Sequence, residues 1–89
     1  MKFIKRLNVF KKDYKKIVKQ GKDIGKLIKV IEVLAEEKNP DSKYHDHLLF
    51  GKFKSRRECH IEPDWLLIYR IDKNDLILER TGSHSDLFE

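Results

Sequence analysis

Four histidines, His45, His47, His60 and His84, all fall in the second half of the 89-residue chain, alongside Asp64 and Arg80. An imidazole takes or releases a proton near neutral pH, a carboxylate can orient it, and a guanidinium can clamp a phosphate. That set matches what cleaving RNA without a metal demands. One group must accept the proton of a ribose 2′-hydroxyl, another must protonate the departing 5′-oxygen, and positive charge must offset the phosphorane. DNA lacks the internal nucleophile, so the set favours RNA. Any single histidine also reads as an ordinary surface or core residue, and only the constellation carries the expectation.

Parity constrains which of these residues can meet. Alternate residues of an extended segment share a face, which puts Arg56, Glu58 and His60 on one side and Arg57, Cys59 and Ile61 on the other. Cys59 then faces away from His60 and reads as a small buried hydrophobe, not a nucleophile. His60 and Asp64 straddle a turn at Pro63 that can bring them together, although Asp64 could instead only accept turn hydrogen bonds. Leu76, Leu78, Arg80, Gly82 and His84 nominally share one parity, mixing core and site residues. Either the helices cover only one end of that strand, or a bulge near Gly82 re-aims its tail. Trp65 and Phe88 are candidates to stack a base, with core packing the competing reading for Trp65. No HExxH or CxxC spacing occurs, so the site is expected to work with no metal and no cofactor.

The elements that must position these groups follow from periodicity. Residues 2–7 predict a short strand, and Asn8 a helix cap. Phe10, Tyr14, Ile17 and Val18 recur at helical spacing with lysines between them, and Gly21 is a plausible stop. Asp23 can cap a second helix whose stripe is Ile24, Leu27, Ile28, Ile31, Leu34 and Ala35, ended by Asn39-Pro40. The period then changes. Strands are expected around Leu48–Phe53, over Arg56–Ile61, over Trp65–Ile71 and from Leu76 onward, with turns at Glu62-Pro63-Asp64 and Asp72-Lys73-Asn74-Asp75. Trp65–Ile71, apolar on both parities, should be the central strand. The implied fold is α+β: one domain over 1–89, an antiparallel sheet of four to five strands with an N-terminal helical hairpin packed on one face.

The net charge of +5 is uneven, with 12 Lys/Arg against 5 Asp/Glu in residues 1–40 and 8 against 10 in 41–89. A basic half suits a polyanionic partner or an acidic protein, though lysine-rich helix faces also occur simply for solubility. One cysteine excludes an intrachain disulfide, and no apolar run is long enough for a signal peptide or membrane span, so a cytoplasmic location is expected.

Three segments carry a family resemblance: Tyr44-His45-Asp46-His47-Leu48-Leu49-Phe50-Gly51-Lys52-Phe53, then Arg57-Glu58-Cys59-His60-Ile61-Glu62-Pro63-Asp64-Trp65, then Glu79-Arg80-Thr81-Gly82-Ser83-His84-Ser85-Asp86-Leu87-Phe88. In order and spacing they resemble the YafQ branch of the RelE/ParE toxin superfamily. That resemblance implies a type II toxin–antitoxin toxin that cleaves mRNA at the ribosome and is neutralised by a cognate antitoxin, with operator DNA contacted through the antitoxin. It places catalytic roles on His47, His60, Asp64 and His84, and substrate contacts on Arg80, Phe88, Trp65 and Lys52. His45 receives no role from it. Two departures stand out: Leu48 where some relatives have proline, and Glu58 where some have aspartate. A non-catalytic relative of the ParE kind, acting on DNA gyrase, or a nucleic-acid-binding module is the alternative.

Overall fold

The computed structural model describes residues 1–49 and 55–88. Lys52, and the strand expected around Leu48–Phe53 from residue 50 on, lie outside the described residues. The elements run β1 (Phe3–Arg6), α1 (Asn8–Lys19), α2 (Ile24–Ala35), a 3-10 turn (Ser42–Tyr44), β2 (His47–Leu48), β3 (Arg57–Glu62), β4 (Trp65–Asp72), β5 (Asp75–Gly82) and α3 (His84–Phe88).

The sheet order is β1-β5-β4-β3-β2, so the apolar strand β4 is indeed central. Strands β2 to β5 form an antiparallel meander, but β1 pairs with β5 in parallel, from Phe3 opposite Asp75 to Arg6 opposite Leu78. The expected all-antiparallel sheet is therefore a mixed one. Tight turns enforce antiparallel pairing only between neighbours in sequence; β1 reaches β5 after a long connection, which permits either direction.

Both helices seal one face. Phe10 and Ile17 of α1, and Leu27, Val30, Leu34 and Ala35 of α2, pack with Cys59, Ile61, Trp65, Leu67, Tyr69, Leu76 and Leu78. Asp23 caps α2 as expected, its side chain accepting from Gly25 N–H. Asn8 does not cap α1: it is the first helical residue, and Leu7 occupies the cap position without a side-chain bond. Val18 and Ile28, expected on the buried stripes, are about half exposed, while Val30 is buried in their stead. The 3.6-residue period leaves room for either edge of a stripe to face water. The opposite face is thinly covered, by Leu66, Ile68 and Leu87 with Leu49 against them.

A bulge settles the parity conflict in β5. Ile68 pairs with Arg80 and Tyr69 with Leu78, leaving Glu79 as the extra residue. The reversal moves Arg80 off the parity of Leu76 and Leu78 and onto that of Ile68. It lies at Glu79, three residues before Gly82. Glu79 is itself buried, with its two carboxylate oxygens taken by Arg56 Nε and by Arg70 Nε at 2.7 Å.

Candidate active site

His60 is the hub of the site. It sits on β3 opposite Leu66, on the thinly covered face, because parity sends Cys59 and Ile61 into the helix-side core. The rings of His45, His47 and His84 lie 5.8, 6.2 and 5.8 Å from its ring. Three of these four were expected to meet. His45 was not, and its position depends on backbone geometry: it ends the 3-10 turn in a left-handed conformation, φ 49° and ψ 45°. The available signal was its spacing of two from His47, which puts both on one side of an extended segment.

Asp46, between those two histidines, anchors their loop from the inside. The Tyr69 hydroxyl donates to its carboxylate at 2.7 Å, and Arg57 donates twice at 3.3 and 3.4 Å. Burial and the Asp46 carboxylate together push the Tyr69 hydroxyl up, so it stays a donor. With the loop held, His47 Nδ1 lies 2.7 Å from the His45 carbonyl. A carbonyl only accepts, so neutral His47 carries its proton on Nδ1 and exposes the Nε2 lone pair.

His84 is fixed by a second device. Gly82 turns the chain with φ +154°, where an added Cβ would come within 3.3 Å of Asp86 Cβ, and α3 begins two residues later. The strand expected to continue to His84 therefore stops, and β5 parity does not govern that side chain. Asp64, from the β3–β4 turn, accepts the His84 backbone N–H at 3.0 Å and lies 2.7 Å from its Nδ1. Those bonds from His84 hold the Asp64 carboxyl below its usual range. An ionised carboxylate accepts only, so neutral His84 also donates from Nδ1 and carries its lone pair on Nε2. Phe88, on the next turn of α3, is exposed, with its ring 6.3 Å from that of His84.

Burial lowers the His60 pKa; Glu58, with a carboxylate oxygen 3.4 Å from Nε2, opposes this, while His84, His45 and His47 reinforce it. Its Nδ1 is buried and has no hydrogen-bond partner among the described residues. Glu58, His60 and His84 present ligand atoms within 4.8 Å of one another. An acceptor pair and a carboxylate at that spacing fit a transition-metal ion as well as they fit proton transfer.

Two expected substrate contacts change. Trp65 is fully buried on the helix side, with Nε1 donating to Thr81 Oγ1 at 3.0 Å, so it is a core residue and has no face free for a base. Its place on a strand buried on both sides decides this. Arg80 reaches α1, where Nε and Nη2 donate to Asp13 at 2.7 and 3.2 Å, leaving only part of its fork for a phosphate. Cys59 is fully buried and its thiol is pushed up to about 12, consistent with no nucleophilic role.

Fold and site together define a small α+β protein whose clustered, oriented imidazoles suit histidine acid–base chemistry. A family profile described as "Bacterial toxin of type II toxin-antitoxin system, YafQ" matches residues 2–89. The mRNA interferase toxin YafQ of Escherichia coli K12 is 41% identical over 80 residues, which is 89% of this chain and 87% of that protein. Among solved structures, a metal-bound toxin from Helicobacter pylori superposes with a TM-score of 0.94 at 49% identity, covering 99% of this chain and 100% of that one. YafQ in the E. coli DinJ-YafQ toxin-antitoxin complex gives a TM-score of 0.91 at 37% identity, covering 99% and 98%. The chain belongs to the YafQ family of type II toxin–antitoxin toxins. Among the described residues, no helix is long and apolar enough to cross a membrane.

Proposed function

We propose that the chain is a ribosome-dependent endoribonuclease that cuts mRNA by internal attack of a ribose 2′-hydroxyl, and that a cognate antitoxin neutralises it. The observation carrying this reading is that His47 and His84 both have Nδ1 engaged, by the His45 carbonyl and by Asp64, with their rings 6.2 and 5.8 Å from that of a partly buried His60. His47 Nε2 accepts the 2′-hydroxyl proton as the 2′-oxygen bonds to phosphorus. The bond from phosphorus to the 5′-oxygen then breaks, and that oxygen takes a proton from the His84 imidazolium, whose charge Asp64 offsets. The products are a 2′,3′-cyclic phosphate and a 5′-hydroxyl. Asp64 orients and does not itself transfer a proton. The free edge of Arg80, with Lys52, contacts phosphate, and Phe88 positions a base. Support for the activity and partner comes from the similar E. coli protein, named an mRNA interferase, and from the DinJ-YafQ complex. Operator DNA is reached through the antitoxin, in the cytoplasm.

The Glu58, His60 and His84 spacing, and the metal-bound H. pylori relative, favour one addition. A transition metal held there would occupy the His84 nitrogen that moves a proton, so metal loading should inhibit. Cleavage on ribosomes should therefore survive chelation of the toxin and fall on adding zinc or copper.

The deciding experiment maps mRNA 5′ ends after expression of the parent chain and of His84→Ala. Discrete in-frame ends that vanish in the variant, with antitoxin binding kept, are expected. Intact transcripts alongside DNA damage would instead support the gyrase-directed alternative.

A further inference from the structure

We propose that a basic groove leading away from His60, between α2 and the 3-10 turn, seats the mRNA segment on one side of the scissile phosphate, with Lys29 and Lys43 as its phosphate contacts. The proposal rests on the RNA-cleaving reading above.

The groove begins as a cleft of about 710 Å³ that has His60 and His45 at one end, Lys26 and Lys29 of α2 along one wall, and Lys43 and Tyr44 along the other. A second basin of about 260 Å³ shares Lys29, Lys43 and Tyr44 and runs on to Pro40. Two adjoining basins, the nearer reaching His60, whose ring lies 6.2 and 5.8 Å from those of His47 and His84, suit a chain better than a compact ligand. A scissile phosphate at the histidines must continue as polymer, and this is a channel shaped to receive it.

Charge points the same way. The four arginines of residues 41–89 are all committed to carboxylates: Arg56 and Arg70 to Glu79, Arg57 to Asp46, and Arg80 to Asp13. On the groove, Lys26 pairs with Glu62 at 2.9 Å. Lys29 makes no ion pair among the described residues, and the Lys43 ammonium lies 5.2 Å from the centre of the Tyr44 ring. Unpaired lysines flanking an aromatic ring are the combination that grips single strands without reading sequence. Because neither Lys29 nor Lys43 makes an ion pair among the described residues, binding a phosphate there breaks no ion pair between those residues.

The test uses the full chain and ribosomes programmed with mRNA. The double variant Lys29→Ala/Lys43→Ala should raise KM on the order of tenfold with kcat retained, and should flatten the salt dependence by roughly 0.7 per lysine in log–log slope. Lys5→Ala/Lys73→Ala, on the far edge strand and the β4–β5 turn, should do neither. An mRNA bearing 4-thiouridine beside the cleaved codon should crosslink within residues 26–44 of the inactive His84→Ala chain. Unchanged KM and salt slope in the groove variant, while the parent cleaves, would overturn the groove alone. Crosslinks from the groove to antitoxin but not mRNA would reassign it to an acidic protein segment and overturn it too. A parent that leaves mRNA intact would overturn both the groove and the nuclease reading.

Discussion

Asp64 Oδ1 receives two hydrogen bonds from one residue, the backbone N–H of His84 at 3.0 Å and its ring Nδ1 at 2.7 Å. One carboxylate thus caps the first residue of α3 and selects the tautomer of the imidazole that residue carries. Asp64→Asn keeps the shape and removes the charge. Single-turnover mRNA cleavage should fall on the order of 10²- to 10⁴-fold, the usual scale of a general acid–base contribution. Circular dichroism should be unchanged. A variant as fast as the parent would leave Asp64 as turn chemistry only.

Acid should destabilise the protein through His60. Burial lowers its folded pKa below the usual value of ~6.5, so the folded chain binds that proton less readily than the unfolded chain does. The stability contributed by neutral His60 is complete above the unfolded pKa and is lost as pH falls through it toward the folded one. The melting temperature should drop more steeply below about pH 6.5 in the parent than in His60→Gln. Parallel curves would assign the acid sensitivity elsewhere.

Removing the Tyr69 hydroxyl should loosen the histidine loop from the core side. Tyr69→Phe leaves Asp46 with Arg57 as its remaining partner among the described residues. Loss of a hydrogen bond to a charged group costs about 1.5–3 kcal/mol. Cleavage should slow beyond what partial unfolding explains, and the His47 ring resonances should broaden. A pure loss of stability, with the rate per folded molecule intact, would confine Asp46 to a structural role.

Trp65 should report on packing and not on RNA. Trp65→Phe leaves Thr81 Oγ1 without its donor, while Thr81 still donates to the Leu66 carbonyl at 2.8 Å. Denaturant unfolding should show a loss of about 1–3 kcal/mol, with KM for programmed ribosomes unchanged. A large KM effect at full stability would restore the stacking role.

Basic residues on the exposed back of α1 should matter only electrostatically. Charge reversal at Lys15 and Lys19 should weaken ribosome association more at low salt than at high salt. Binding that is unchanged at low salt would assign that face to solvation.

The amino-acid sequence by itself determined the two helices, the central place of β4 and the facing of His60 away from Cys59. Those features depend on local period and parity, and a residue's neighbours in sequence set both. The three segments around His47, His60 and His84 also sufficed to name the family. Tertiary structure alone decided what depends on partners distant in sequence. It set the parallel pairing of β1 with β5 and placed the bulge at Glu79, whose carboxylate is held by Arg56 and Arg70. It brought His45 in through a left-handed residue, and took Trp65 out of the candidate site by burying it against α2's side of the sheet. The Asp64–His84 pair joins residues 20 apart, so no periodicity could announce it. The four histidines were visible as composition; that three of their rings lie within 6.2 Å of the fourth is a property of the folded chain.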